Sequence, residues 1–137
     1  MIVRVDVLPI ALELRRVLVA EVIGGFHGQP QLGRWWLPSG LLADGEQPGD
    51  AAVRIVAAQL GLGLEGAVVV GTRQARVGAD WHLALAVAGA VVGEAPEPRA
   101  PVSGFAARTI AELPDQVGFW HRDDVAVLVA RYERLRA

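Results

Sequence analysis

Strand-like and helix-like segments follow one another along this chain in an order that limits the folds open to it. Residues 2–8 alternate apolar and charged side chains, and residues 17–24 are rich in β-branched side chains, so both segments are predicted to be strands. A short linker with Pro9 is expected between them. The apolar runs at 66–74 and 81–92, joined by the polar turn RVGAD, are predicted to pair. The sheet should therefore be mixed or antiparallel.

Two segments have helical periodicity. The first runs over residues 47–60, with Pro48 suited to its first turn and Gly61 to its end. The second, residues 123–136, begins with two aspartates and ends in arginines, which matches the helix dipole at both ends. The proline-rich segment 93–104 has no periodicity and is predicted to be a loop rather than a domain linker.

Length and composition indicate one domain over residues 1–137. With 53% hydrophobic residues and 20% charged residues, the chain can bury a core. A net charge of -2 argues against a nucleic-acid-binding protein. The absence of cysteine excludes disulfides and thiolate chemistry, and it is compatible with the cytoplasm. Charged residues interrupt the apolar N-terminal segment, so neither a signal peptide nor a membrane span is expected. The apolar composition is compatible with a homodimer.

A spaced motif connects the predicted loop before the first helix with that helix. Its positions are Gly40, Glu46, Arg54, Val56, Gly61 and Leu62. This spacing resembles the box of the Nudix superfamily, G-x5-E-x7-R-E-U-x-E-E-x-G-U, in which U is aliphatic. The lead-in at 35–40, WWLPSG, resembles the family's W-x-L-P-G-G, and TIAELP at 109–114 resembles the segment before its last helix. The resemblance implies a Nudix-like α/β/α sandwich, in which a mixed β-sheet lies between two helices that cover opposite faces.

Three glutamates of the family's box are absent. They lie at i, i+3 and i+4 on one helix face and hold divalent metal ions in family members, since clustered carboxylates suit Mg²⁺. Here the three positions carry Ile55, Ala58 and Gln59. The sequence therefore predicts no bound metal and no intact catalytic set at this helix. The remaining box residues, Gly40, Glu46, Arg54 and Gly61, are expected to be structural, and Glu46 and Arg54 are expected to tie the loop to the helix.

Other polar and aromatic residues are candidates for a site elsewhere. Those that suit ligand binding are Trp36, Arg54, Arg73, Arg76 and Trp81, through stacking or phosphate contacts. Acids that could supply a relocated base are Glu65, Asp80, Glu94, Glu97 and Glu112. The histidines, His27, His82 and His121, lack the spacing of a zinc site. The adjacent pair Trp35 and Trp36 should point in opposite directions if the segment is extended.

The sequence is compatible with two functions. The first is a Nudix-fold protein without pyrophosphatase activity that binds a nucleotide-like ligand or a protein partner. The alternative is a Mg²⁺-dependent Nudix hydrolase that cleaves a nucleoside diphosphate linked to another moiety at a relocated metal site. An isomerase-like activity of the family would need a cysteine, and a regulator would need an added DNA-binding domain, which neither length nor charge supplies.

Overall fold

The computed structural model describes residues 1–26, 29 and 32–136 of the chain, and His27 lies outside the described residues. The strands are β1 (Ile2–Ala11), β2 (Arg16–Glu21), β3 (Trp35–Trp36), β4 (Ser39–Leu41), β5 (Gly63–Val77), β6 (Asp80–Val92), β7 (Gly104–Arg108), β8 (Gln116–Val117) and β9 (Trp120–His121). The helices are α1 (Pro48–Leu60) and α2 (Arg122–Arg136), and a short 3-10 turn covers Ile110–Glu112. Neither α1 nor α2 has the length and apolar character needed to cross a membrane.

The main sheet of the described residues is mixed, as the sequence predicts. Its order is β3-β2-β1-β6-β5, with β4 pairing β1 and β7 pairing β2. The strands β1 and β6 are parallel, whereas β5 and β6 form the predicted antiparallel hairpin. The strands β8 and β9 form a separate two-stranded ribbon before α2.

The two helices cover opposite faces of this sheet because the central strands alternate their side chains. Along β6, Ala84 and Ala86 belong to the same buried cluster as Leu128 of α2. Val87, the residue after Ala86, belongs to the cluster that contains Ile55 of α1. Neighbouring residues of a strand point to opposite faces, so each helix packs on its own side. The predicted α/β architecture is confirmed.

Several strand boundaries differ from the prediction, since β5 extends beyond 66–74 at both ends and β1 extends beyond residue 8. Pro9 lies inside β1 rather than in a linker. It falls between Asp6, where the pairing with β4 ends, and Ile10, where the pairing with β2 begins, so its missing N–H removes no ladder bond to either strand. The second strand ends at Glu21, and the chain turns at Gly24, whose φ of +88° lies in the left-handed region.

Helix α1 begins and ends where the sequence predicts. Pro48 occupies the first turn after the N-cap Gln47, and Gly61 adopts the left-handed conformation and donates its N–H to the carbonyl of Ala57. The buried residues of α1 are Ala51, Ala52, Ile55, Val56 and Leu60. This apolar stripe fixes which face of α1 remains available at the surface.

Candidate functional site

The loop before α1 is tied to the helix by Glu46 and Arg54, as the sequence predicts. Arg54 donates from Nε to Glu46 Oε2 and from Nη2 to Glu46 Oε1, each at 2.9 Å. Its Nη2 also donates to the carbonyl of Leu41 at 2.9 Å, and Glu46 Oε1 accepts the N–H of Ala43 at 3.1 Å. The hydrogen bonds from Arg54, followed by the one from the Ala43 N–H, lower the pKa of Glu46 to about 2. The pair therefore fixes the loop between β4 and α1.

The three box positions of α1 carry no charge, and two of them hold β4 in place. Ile55 is 1% exposed, and a Cβ added to Gly40 would lie 3.1 Å from its Cδ1 atom. Gln59 donates from Nε2 to the carbonyl of Ser39 at 2.7 Å, and its Oε1 is buried with no hydrogen-bond partner among the described residues. Ala58 is exposed. This region of α1 serves as a packing surface for β4.

A buried polar cluster lies on the opposite face of β1. Asp6 accepts hydrogen bonds from Arg4 Nε at 3.2 Å, from Ser39 Oγ at 2.8 Å and from Trp120 Nε1 at 2.6 Å. Arg4 is 0% exposed and its guanidinium lies 4.0 Å from the ring centroid of Phe119. The cluster joins β1 to β4 and to β9. It therefore ties β4, which precedes the box loop of residues 42–47, to the segment that enters α2.

His82 lies at the edge of this polar cluster. Its Nδ1 is 3.4 Å from Nη1 of Arg4, and the side chain is 4% exposed. Burial, followed by the charge of Arg4, lowers the pKa of His82 below its ordinary value, because both disfavour the imidazolium. The neutral ring is therefore the form that the folded state favours.

Comparisons with solved structures identify the fold of this chain, whereas comparisons of sequence do not. No protein-family model matches the sequence, and no curated protein matches it significantly. Among solved structures, the MutT protein of Methanosarcina mazei Go1 matches with a TM-score of 0.76 and 15% identity over 99% of this chain and 96% of that chain. An ADP-ribose pyrophosphatase of Streptococcus suis matches with a TM-score of 0.73 and 16% identity over 99% and 92%. The chain has the Nudix fold.

A third structural neighbour carries a ligand. The NUDIX domain of Shewanella oneidensis NrtR, solved in complex with ADP ribose, matches with a TM-score of 0.72 and 19% identity over 98% of this chain and 88% of that chain. At such identities the agreement lies in the backbone path, so the chemistry of this Nudix fold depends on its own side chains.

The divalent metal that the Nudix resemblance implies does not fit the residues at α1. Mg²⁺ needs several hard oxygen ligands at fixed positions. Ile55 offers none and its side chain is buried against Gly40, while Ala58 offers only a methyl group. Gln59 contributes one neutral oxygen. Across residues 1–26, 29 and 32–136, no group of three or more His, Cys, Asp or Glu side chains is placed to hold a metal ion.

Within the described residues, the acids outside the box motif do not converge on one metal-binding site. Glu112 completes a capping box with Thr109, whose N–H and hydroxyl donate to Glu112 Oε1 at 3.0 and 2.9 Å, so its role is structural. Glu97 lies 3.5 Å from Arg99 in an exposed pair. The other three acids, Glu65, Asp80 and Glu94, are exposed. His121 is exposed beside Asp123 at 3.6 Å.

The aromatic ligand candidates differ in accessibility. Trp36 is 2% exposed, donates to the carbonyl of Gly33 at 3.0 Å and meets Phe119 edge to face. It is therefore part of the core, and Gly118 leaves room for its ring, since a Cβ at Gly118 would overlap it. Trp35 packs on the other buried cluster, so the adjacent pair alternates as expected. Trp81 is 49% exposed and remains available.

The arginine candidates lie in three separate places. Arg54 is engaged by Glu46, and Arg76 lies over the ring of Trp81 at 5.7 Å near the tip of the β5–β6 hairpin. Arg73 donates to the carbonyl of Phe119 and is 3.9 Å from Asp124. Together with Arg131, it lines a cleft of about 300 Å³ between β5 and α2. The structure thus does not bring Arg73 and Arg76 into one site.

Sequence reasoning missed the polar cluster of Arg4, Asp6, Ser39, His82 and Trp120. One signal was available. On β1, Arg4 and Asp6 fall on the same face as Leu8, which is fully buried. A charged pair in line with buried apolar residues indicates burial, whereas the alternation alone indicates only a strand.

Proposed function

We propose that this chain is a Nudix-fold protein that binds a ligand without hydrolysing diphosphates. One observation carries the proposal, namely that Ile55 stands buried against Gly40 at a position where the resemblance would put a metal-binding glutamate. Without the ion, the leaving phosphate and the attacking water lose a stabilisation of several kcal/mol. The tie between Gln59 and Ser39 supports the same conclusion, since this side chain holds the loop rather than facing a metal ion.

The proposed ligand is nucleotide-like. This proposal is supported by two structural neighbours, one described as an ADP-ribose pyrophosphatase and one solved in complex with ADP ribose. The cleft between β5 and α2 offers two guanidinium groups, Arg73 and Arg131, and each is oriented by a backbone carbonyl. A guanidinium held in this way retains further N–H donors for a phosphate. Trp81, with Arg76 beside it near the tip of the β5–β6 hairpin, is a separate exposed candidate for stacking on a base and does not line this cleft.

The alternative function is a Mg²⁺-dependent Nudix hydrolase that acts on a nucleoside diphosphate linked to another moiety. Similarity to an ADP-ribose pyrophosphatase over nearly the whole chain favours it. It requires a metal site built from residues outside α1. A protein partner in place of the nucleotide, and a homodimer, also remain proposals.

The test combines binding with turnover. Isothermal titration with ADP-ribose, with and without MgCl₂, measures affinity, and release of AMP measures hydrolysis on the same samples. We expect binding that Mg²⁺ does not change and no Mg²⁺-dependent release of AMP above background. Hydrolysis that requires Mg²⁺ and persists after Ala58→Ser and Gln59→Ala would select the alternative function.

A matched pair of variants locates the ligand. Arg73→Gln removes a cleft guanidinium, whereas Arg99→Gln removes an exposed guanidinium that pairs only with Glu97 among the described residues. We expect Arg73→Gln to weaken ADP-ribose binding and Arg99→Gln to leave it unchanged. Equal affinities for the two variants would remove the cleft from the proposal.

A further inference from the structure

A second groove lies at the other end of the sheet from the β5–β6 turn. It has a volume of about 590 Å³ and runs between the β1–β2 hairpin, β7 and the residues that follow α1 and β6. Leu62, the second residue after α1, and Val92, the last residue of β6, both line it. The groove therefore begins where α1 ends, away from the box loop and from the cleft between β5 and α2.

The floor of this groove is apolar. Leu18 and Leu62 are buried in the cluster that contains α1, and Val91 and Ala107 pack against that cluster. Phe105 lines the groove from β7 and is 41% exposed, although a ring of this size would normally be covered. The floor is thus the surface of a packed core that no element of the described chain covers.

Three carboxylates surround this floor. Glu13 comes from the β1–β2 hairpin, Glu65 from β5 and Glu94 from the loop after β6, and all three are exposed. Among the residues that line the groove in the described part of the chain, there is no arginine, lysine or histidine. Neither an ion pair nor a hydrogen bond engages these three side chains within the described residues.

Other acids of this chain show that such isolation is not general. Glu21 pairs with Arg34, Glu46 with Arg54, and Asp115 with Arg122, at 3.4, 2.9 and 3.2 Å. The groove therefore combines an apolar floor with three exposed carboxylates that form no ion pair within the described residues, and like charges at its border raise the negative potential together.

We propose that this groove binds an amphipathic cation, a small molecule with an alkyl or aryl body and an ammonium or guanidinium group. The body would cover Leu18, Leu62 and Phe105, and the cation would lie among the carboxylates. The volume is within the range of about 300 to 1,000 Å³ that is common for small-molecule sites. A single chain forms the whole groove, so the ligand needs no second subunit. This site is independent of the nucleotide-like ligand proposed above.

Three probes of equal chain length separate charge from apolar burial. Octylammonium, octanol and octanoate share the same eight-carbon body and differ in the sign of their charge at pH 7. We expect octylammonium to bind with the lowest Kd, octanol more weakly and octanoate most weakly, as measured by titration calorimetry at low ionic strength. Screening should reduce the differences in 0.5 M NaCl, because the carboxylates are exposed. Octanoate binding as tightly as octylammonium would overturn the proposal.

Variants assign the effect to the groove. The isosteric triple variant Glu13→Gln, Glu65→Gln and Glu94→Gln should raise the Kd for octylammonium by about 1.5- to 5-fold per carboxylate, in the range of exposed ion pairs, and leave octanol unchanged. The control triple variant Asp44→Asn, Asp50→Asn and Asp80→Asn changes the net charge equally at exposed sites away from the groove. If both triple variants raise the Kd for octylammonium equally, the preference for the cation comes from the net charge of the protein alone, and the proposal is contradicted.

The apolar contact has its own test. Phe105→Ala should weaken octanol and octylammonium alike, since it removes part of the floor without changing the charge. A basic amphipathic peptide, acetyl-Lys-Leu-Leu-Lys-amide, is the last probe. Binding of this peptide without binding of octylammonium would contradict the proposed class of ligand and indicate a protein segment instead. These measurements use no nucleotide, so they fail or succeed separately from the ADP-ribose titration.

Discussion

The two faces of strand β1 use charge in opposite ways. Toward α1, Ile55, Ala58 and Gln59 stand at the positions where the resemblance would put metal-binding acids. Toward α2, Asp6 is 3% exposed and accepts hydrogen bonds from an arginine, a serine and a tryptophan. The first face carries no carboxylate at these three positions, and the other has a buried carboxylate that accepts hydrogen bonds from protein donors.

The contrast shows that a carboxylate can stabilise this fold without being able to bind a metal ion. A carboxylate that holds a metal ion must keep oxygen lone pairs directed outward, whereas those of Asp6 are directed at protein donors. Ser39 contributes to both regions, since its hydroxyl donates to Asp6 and its carbonyl accepts from Gln59. Ser39 thus connects the polar cluster to α1, and protein side chains hold β4 from both sides.

Removing the Asp6 carboxylate should lower the free energy of unfolding more than any other single substitution on either face of β1. Asp6→Asn leaves the guanidinium of Arg4 buried without its counter-charge, and loss of one partner of a buried pair costs about 3 to 5 kcal/mol. Urea unfolding monitored by tryptophan fluorescence measures this loss of unfolding free energy. The control Asp44→Asn, at an exposed loop position, should change stability by less than about 0.5 kcal/mol.

Replacing both members of the buried ion pair tests whether the unpaired charge, rather than the loss of the pair, destabilises Asp6→Asn. Arg4→Met with Asp6→Leu removes both charges, and buried ion pairs replaced by apolar residues often cost little. We expect the double variant to be more stable than Asp6→Asn alone. If the two variants lose equal stability, the other partners of Asp6, rather than the charge pair, are what stabilises this face.

His82 should make the buried face sensitive to acid. Its pKa is lowered in the folded state, so below its ordinary value of about 6.5 the unfolded chain binds more protons than the folded chain. Stability should therefore be constant above this pH and fall as the pH drops from about 7 toward 5. We expect His82→Gln to flatten that slope and His121→Gln, at an exposed position, to retain it, as measured by urea unfolding at each pH. A slope that survives in His82→Gln would assign the proton uptake to another group.

Much of the fold follows from the sequence because its signals are local. The helix over 47–60 was predictable since a proline suits its first turn and Gly61 supplies the left-handed end. The β5–β6 hairpin was predictable from two apolar runs and a short turn. The pairing of β1 with β6, in parallel and about 80 residues apart, has no local signal and was not predicted. Pro9 was misjudged because proline penalises a strand only where its N–H would be needed.

The site was less predictable because burial depends on tertiary contacts. The tie between Glu46 and Arg54 followed from the motif, but the covering of Arg4 and Asp6 depends on Trp120, more than 100 residues away. Trp36 and Trp81 have the same side chain and differ in exposure, 2% against 49%. Their positions relative to the core, which composition and spacing do not specify, decide which of them a ligand can reach.

The ion pair of the box loop should have a smaller effect than the buried pair. Arg54→Ala removes three hydrogen bonds, yet the arginine side chain is 49% exposed, so water compensates in part. We expect a lower Tm than in the parent chain, with a smaller decrease than for Asp6→Asn. The pKa of Glu46 is lowered from 4.5 to about 2, so its stabilising effect should be lost as the pH falls through this window. Arg54→Ala should reduce that acid-dependent loss, with the Ala43 N–H maintaining part of it, whereas the control Arg99→Gln should keep it in full.

Introducing acids on α1 should produce the smallest change in stability on addition of Mg²⁺, because packing already holds the backbone there. Ala58→Glu with Gln59→Glu returns two carboxylates at adjacent positions, and Ala58 is exposed. The third position is different, since Ile55→Glu would bury a carboxylate against Gly40, and an unpaired buried charge is costly. Gln59→Glu removes the donor to the Ser39 carbonyl, so we expect the double variant to fold with a lower stability than the parent chain in the absence of Mg²⁺. It should gain less than about 1 kcal/mol of stability in 10 mM MgCl₂, which corresponds to a Kd in the millimolar range. The parent chain should gain nothing in the same thermal-unfolding measurement, and Ala58→Gln with Gln59→Glu provides the control with one acid. A parent chain that is itself stabilised by Mg²⁺ would show that ligands outside α1 hold the ion, and the α1 face would then no longer explain the chemistry of this fold.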